Sequence, residues 1–369
     1  MKLPITSRNG TPASPLTLPL TSRRRFLSQA AVAALLATPL AAFGRSGSAP
    51  VMAQGTPEAE LAPAATWQAT GDPANPLLAP SGAAIDAEGN IWVVDAGHDQ
   101  VQIIGPDGQF VESWDGTSGG GKAFDFHKAS GGADGDIAFA PDGRIYVAET
   151  GGPGHRVQIF DRDRQWLATW GTFGPGDGKF LEPISVAVDT DGNVYVADNQ
   201  QRRIQKFSPE GTFLQAFGGA DSVAGVLQDT GNFTVDRQGN VVMPVWGFDH
   251  IIVFAPDGSR RAEWGSTGSE PGQFRTPSDV VIDVMGNIFV SDLNNTRIQV
   301  LDPNGQPLAA WGTGTTPSGQ PNPPYSMALD AEGNLYVVGT ALDSESEANV
   351  QKFRIVPSLV PVTMGTPQP

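Results

Sequence analysis

The chain has no cysteine, so disulfides and thiolate metal centres are excluded. Histidine is scarce, at four among 369 residues. Long helical patterns are hard to find. No Gly-x-Ser-x-Gly elbow, P-loop or His-Glu-x-x-His motif occurs. Glycine-rich pieces such as SGGGKAF lack the strand-to-helix setting of a phosphate cradle. Positive charge is also short. Residues 1–53 carry six basic residues and no acid, which leaves 17 basic against 39 acidic residues in the remainder. A body this acidic repels phosphate backbones, so no nucleic-acid partner is expected. What is abundant is Gly (45) and Pro (31), a composition that suits many short strands joined by tight turns.

The first 53 residues read as an address. SRRRFLS (22–28) supplies a basic region, Ala30–Phe43 a short apolar run, and PVMAQG a cleavage site after Ala53. SRRRFLS resembles the twin-arginine export signal, with Ser28 in place of the usual Lys. The alternative is an ordinary secretory leader. Either route implies an exported bacterial or archaeal protein, periplasmic, at the cell surface or extracellular. The apolar run is too short for a transmembrane span, so none is expected in the mature form. If retained, the leader would act as an anchor.

One landmark recurs along the body: a β-run, an Asp-x-x-Gly turn, then a second β-run. It appears as IDAEGNIWVVD, FAPDGRIYVAE, VDTDGNVYVAD, VDRQGNVVMPV, IDVMGNIFVSD and LDAEGNLYVVG. The last four turn glycines, Gly192, Gly239, Gly286 and Gly333, are spaced 47 residues apart, within the range of propeller repeats. The two runs are strands a and b of the repeat, and each copy adds a strand c of the RIQVL kind. Five copies continue through a second turn to a strand d ending at Trp114, Trp170, Phe217, Trp264 or Trp311.

The sixth copy lacks this fourth strand, but PAATWQATG (63–71) matches its pattern ahead of the first copy. The expected fold is therefore all-β, a six-bladed propeller of four-stranded antiparallel blades, closed by an N-terminal strand that completes the last blade. Expected boundaries are a leader at 1–53, a linker at 54–60, the propeller at 61–356 and a Pro-rich tail at 357–369.

The phrases VADNQQRRIQKF, AETGGPGHRVQIF and SDLNNTRIQVL resemble NHL repeats. The resemblance implies a fold that hosts binding modules and enzymes alike. Blade 4 departs from it, with Pro244 standing where other copies carry Asp or Glu. Blade 6 departs with Gly339 and the insertion ALDSESEAN. The best-known enzymes with this repeat, the peptidyl-α-hydroxyglycine α-amidating lyases, hold zinc through His residues, two of which follow a Pro at the start of strand a. The matching positions here are Ser81, Gly135, Ile184, Gly231, Ser278 and Tyr325, and none is His. That argues against the lyase zinc site.

One position further along lie Asp136 and Asp279, on blades that face each other across the ring. Their oxygens would suit Ca²⁺ in the channel, where the resemblance also places calcium.

The b–c and d–a loops, on one face, are long and varied, whereas the a–b and c–d turns are short and uniform. A ligand is expected on the varied face. Candidates there are His98, Phe126, His127, Lys128, His155, Trp246, Phe248, Asp249, His250 and Tyr325. Asp95, Glu149, Asp198, Asp292, Arg156, Arg203 and Arg297 recur from blade to blade, which favours a structural role. No catalytic residue is assigned. The functional expectation is a monomeric exported module that binds a protein, peptide or glycan. The alternative is a metal-assisted (Ca or Zn) lyase or hydrolase with a site at the channel mouth.

Overall fold

A computed structural model describes residues 65–127, 134–151, 155–218, 227, 229–314, 322–340 and 348–355. The leader, the 54–60 linker, Lys128, the 357–369 tail and most of the blade 6 insertion lie outside the described residues.

Six four-stranded antiparallel sheets follow one another. Their strands a to d are, in blade 1, Pro80–Ile85, Ile91–Asp95, Gln100–Ile104 and Phe110–Trp114. Blade 2 has Gly135–Phe139, Ile145–Glu149, Arg156–Phe160 and Trp166–Trp170. Blade 3 has Pro183–Val188, Val194–Asp198, Arg203–Phe207 and Phe213–Gly218. Blade 4 has Thr234–Val235, Val241–Val245, His250–Phe254 and Arg260–Trp264. Blade 5 has Pro277–Ile282, Ile288–Asp292, Arg297–Leu301 and Pro307–Gly312. Blade 6 has Pro324–Leu329, Asn334–Gly339 and Asn349–Arg354, and its fourth strand is Ala65–Ala69. That latch runs antiparallel to strand c, with Trp67 opposite Lys352 and Ala69 opposite Val350.

The turn chemistry explains the landmark. Asp86 Oδ1 accepts from the N–H groups of Glu88 and Asn90, and its Oδ2 accepts from Asn90 Nδ2. Asp189, Asp236 and Asp283 repeat the pattern. The following Gly takes positive φ, +83° at Gly89, which side chains resist.

Packing between blades uses aromatic rings. The strand d ring of one blade lies on the c–d turn of the next, as Trp264 does on Gly305, where any Cβ would overlap the indole. The latch behaves as a true fourth strand in this respect. Trp67 Nε1 donates to Pro106 O (3.0 Å), and its ring meets Tyr336 edge-on at 5.8 Å. Strand b is buried throughout blades 1 to 5, and apolar clusters fill the space between neighbouring sheets.

The pairing also corrects a register in blade 4. Val245 lies opposite His250, as Asp198 lies opposite Arg203 and Asp292 opposite Arg297. Val245, not Pro244, therefore holds the place of the acid, and Pro244 pairs with Ile251. The apolar run of this strand carries no polar mark to set its phase.

Candidate functional site

Equivalent positions at or just before the start of the six a strands hold Gly82, Asp136, Ser185, Asn232, Asp279 and Ser326, which come together around the channel. Asp136 accepts at Oδ1 from Ile137 N (2.8 Å), and at Oδ2 from Ser185 Oγ (2.7 Å) and Val186 N (3.1 Å). Asp279 Oδ2 accepts from Ser326 Oγ (2.9 Å) and Met327 N (2.6 Å). Burial pushes the Asp136 carboxyl up from 3.8 to about 7, against the opposing pull of these donors. Asp279 is raised well above its ordinary value, first by burial and then by the charge of Asp136. Asp279 thus feels the charge of Asp136 across the ring.

The channel is closed at this level. Asn232 Nδ2 donates to Ser81 O (2.8 Å) on the opposite blade and approaches Ser326 Oγ at 3.4 Å. Above it, Trp246 of blade 4 and Tyr325 of blade 6 meet edge-on at 5.9 Å. Gly231 makes this approach possible, because a Cβ there would crowd Trp246 Nε1 and Ser278 O. Tyr325 has its hydroxyl pKa raised well above 10, by burial and then by Asp134, Asp279 and Asp136. Exposure increases along strand a toward the a–b turns. A cavity of about 310 Å³, lined by Ala83, Phe139, Val188, Thr234 and Leu329 among others, therefore has the two acids at its closed end.

The recurrent acids sit at the root of the loops on the varied face. Asp95 accepts from Leu78 N, His98 Nδ1, Gln100 Nε2 and Gln102 Nε2. Glu149 takes Arg156, Gln158 Nε2 and Asp125 N, and burial raises its pKa despite the Arg156 charge. Asp198 accepts from Leu181 N, Glu182 N and Gln201. Asp292 accepts from Arg275 N, Asn295 Nδ2, Arg297 Nε and Gln299 Nε2. Arg203 reaches Asp177 and the carbonyls of Gly176 and Lys179 instead of Asp198. The partners Gln102, Gln158 and Gln299 share the third place of strand c with Gln205, which instead accepts from Gly178 N and donates to Lys179 O, a recurrence visible in the sequence as RIQ and VQ.

The ligand-face candidates are dispersed over several blades. His98 is held on Asp95 at 2.9 Å. His127, more than half exposed, is held on Asp99 at 3.0 Å. His155 lies 4.9 Å from the ring of Phe173, an exposed residue the sequence reading did not single out. Phe248 stacks on His250 at 5.6 Å and is 48% exposed. Burial and then the Arg260 charge lower the His250 pKa. Asp249 accepts from Thr276 N and Thr267 Oγ1, and it repeats Asp99, which accepts from Phe126 N, each with φ near +50°.

Phe126 is a correction. Its side chain is fully buried among Phe124, Trp114 and Phe160, against the bare backbone of Gly135, and no ligand can reach it. Asp99, Asp125 and His127 bring three ligand atoms within 4.8 Å of one another.

A family model described as the NHL repeat matches residues 180–207 and 274–301. With six sheets of the geometry above, the chain is a six-bladed β-propeller that carries NHL repeats at these two stretches. Among curated proteins, the B-box type zinc finger protein ncl-1 of Caenorhabditis elegans is 41% identical over 61 residues, covering 16% of this chain and 7% of that protein. The E3 ubiquitin-protein ligase TRIM71 of Gallus gallus is 47% identical over 45 residues, covering 12% and 5%. The chain thus spans less than a tenth of the length of these relatives.

Among solved structures, regucalcin of Agrobacterium tumefaciens, titled a calcium-binding protein, is similar with a TM-score of 0.53 at 13% identity, covering 75% of this chain and 90% of that one. A gluconolactonase of Xanthomonas campestris gives 0.53 at 16%, covering 75% and 86%. Virginiamycin B lyase of Staphylococcus aureus gives 0.50 at 12%, covering 76% and 86%. At these identities the likeness is one of fold. Among the described residues no helix is long and apolar enough to cross a membrane.

Proposed function

We propose that the protein is an exported, monomeric binding module that docks a protein, peptide or glycan on the face built by its b–c and d–a loops. One observation carries this reading. On that face the channel is closed by Asn232, Trp246 and Tyr325, while exposed rings and imidazoles stand apart on several blades. Dispersed anchors over a rigid floor suit an extended partner better than a small substrate held at one point. The recurrent acids and their Gln and Arg partners hold the loops in place. The likeness to TRIM71, named as an E3 ubiquitin-protein ligase, supports a protein partner.

The test is a peptide and glycan array probed with the purified mature protein, followed by the double variant Phe173→Ser, Phe248→Ser. Both rings are largely exposed, so melting should move little. Affinity for any captured ligand should fall about tenfold or more. A ligand held equally by the double variant would place docking elsewhere.

A second reading, a metal-assisted lyase or hydrolase, is favoured by the Asp99–Asp125–His127 cluster and by the lyase and gluconolactonase among the fold neighbours. In the channel, Ca²⁺ fits in kind, since two carboxylates and the Asn232 amide offer oxygen. Protein donors already occupy much of that capacity. Elemental analysis of protein exported by its native host discriminates the two readings. Stoichiometric metal that Asp99→Ala or Asp279→Asn abolishes supports the second, and metal-free protein that still captures its ligand removes it.

A further inference from the structure

One equivalent position of strand b, its second residue in blades 1 to 5 and its third in blade 6, holds a ring in five blades: Trp92, Tyr146, Tyr195, Phe289 and Tyr336. Each packs against the strand d ring of its own sheet, with centroids 5.5 to 6.4 Å apart. The polar edge of three of these rings reaches the Asp of the a–b turn. Trp92 Nε1 donates to Asp86 Oδ2 (2.8 Å), Tyr195 OH to Asp189 Oδ2 (3.1 Å) and Tyr336 OH to Asp330 Oδ2 (3.2 Å). A cation covers the ring in four blades: Arg164 on Trp92, Arg144 on Tyr146, Lys206 on Tyr195 and Lys352 on Tyr336.

Blade 4 has Val242 at this position. A groove between neighbouring a–b turns recurs: it is about 370 Å³ between blades 6 and 1, with Tyr336 in its wall, and about 380 Å³ between blades 4 and 5, where the small Val242 lets it reach the strand d indole of Trp264. The walls of this second cavity include Val242, Val253, Trp264 and Ile282, so the strand d indole keeps its place without its usual partner. The turn acid is also in place: Asp236 lines the cavity, and its Oδ2 accepts from Asn240 Nδ2. A carboxylate oxygen has a second lone pair to offer. The strand c cation is absent, Val253 standing where Lys206 and Lys352 stand, but Arg261 lines the cavity and is tethered to Asn240 Oδ1 (3.0 Å). At the lip, Val284 and Met285 are 69% and 60% exposed.

We propose that this cavity binds a phenolic ring supplied from outside the fold, packed at a tilt or edge-on against Trp264 with its hydroxyl donating to Asp236. The five filled blades are the template for the sixth. They show which shape fits between the sheets, which edge meets the turn acid and why a nearby cation favours a π face. The site is independent of the loop face, and its occupancy says nothing for or against docking there.

The test titrates the mature protein with p-cresol, toluene and N-acetyl-tyrosinamide, following Trp264 by indole NMR and binding by calorimetry. The expected result is saturable one-to-one binding of p-cresol, with a Kd on the order of 1 mM for so small a probe. Toluene, lacking the donor, should bind at least about threefold more weakly. Val242→Tyr should fill the cavity from within, abolish p-cresol binding and raise the melting temperature. Val242→Met, a smaller change, should weaken binding if the Tyr variant fails to fold.

N-acetyl-tyrosinamide separates the sources of the ring. Binding at least as tight as p-cresol points to a tyrosine side chain of a partner, and exclusion points to a free phenol. The proposal is overturned if p-cresol fails to saturate by about 10 mM, if Val242→Tyr binds it as well as the wild type, or if toluene binds equally.

Discussion

Asp279→Asn should make the metal-free protein melt higher at pH 8 than the wild type, and the difference should vanish by pH 4. Folded Asp136 holds its proton up to about pH 7, whereas the unfolded carboxyl releases it near 3.8. A raised acid contributes stability that is full below the unfolded value and is lost as pH climbs through the folded one. At about 1.36 kcal/mol per unit, the Asp136 shift alone removes roughly 4 kcal/mol across that window if fully realised.

Asp279 is the better residue to change. Its two close donors, Ser326 and Met327, both meet Oδ2, and Val280 N–H adds a weaker pull, so an amide oxygen can keep the two stronger bonds. Asp136 accepts on both oxygens, and an amide there would set its NH₂ against Ile137 N–H or against Ser185 and Val186. An amide at 279 removes the charge that burial and Asp136 both oppose, so a gain of about 1–3 kcal/mol, or roughly 2–8 °C, is expected at pH 8. Millimolar calcium should reverse the order if the channel holds a cation, raising the wild type and leaving Asp279→Asn unmoved. Equal melting of the two proteins at every pH would show that the carboxyls do not oppose each other as argued.

Removing residues 1–70 should have the largest effect on stability. It uncovers the edge of Asn349–Arg354 and takes Trp67 off Tyr336 and the blade 1 turn. An open edge over apolar residues such as Val350 and Phe353 invites pairing between molecules. The loss should exceed about 5 kcal/mol, with aggregation on expression. Trp67→Ala keeps the strand and loses only the ring, so it should cost about 2–4 kcal/mol, less than a fully buried indole. A synthetic peptide of residues 61–72 added during refolding should rescue the truncated protein. A soluble, monodisperse truncation with unchanged melting would show that the ring stands without its latch.

The features legible in the sequence were those with a local mark. The Asp and Gly of the a–b turns, the strand d rings and the latch are each carried by a few residues at fixed spacing. Counting blades was then enough to place Asp136 opposite Asp279. The remaining features depend on where a side chain turns. Phe126 lies in a polar loop, yet its ring folds inward because Gly135 leaves room. Asn232 bridges the channel to a carbonyl of the opposite blade, and a carbonyl carries no sequence signature. Asp249 looked peculiar to blade 4 until Asp99 was seen in the same backbone conformation, doing the same thing. Val242 is a small apolar residue in an apolar strand, and it becomes informative only beside the five rings that hold its place elsewhere.

The closing strand also sets an order of events. Thr66 Oγ1 bonds to the carbonyl of Lys352, 286 residues later in the chain. A nascent chain leaving the ribosome can complete its early sheets while the rest is still being made, but Ala65–Ala69 has no partner until Asn349–Arg354 emerges. Joining such distant segments carries the largest loop-closure entropy in the molecule, and contacts of that kind form slowly. The circle can therefore shut only after Asn349–Arg354 has been made, and until then the earliest of the described strands waits for its place.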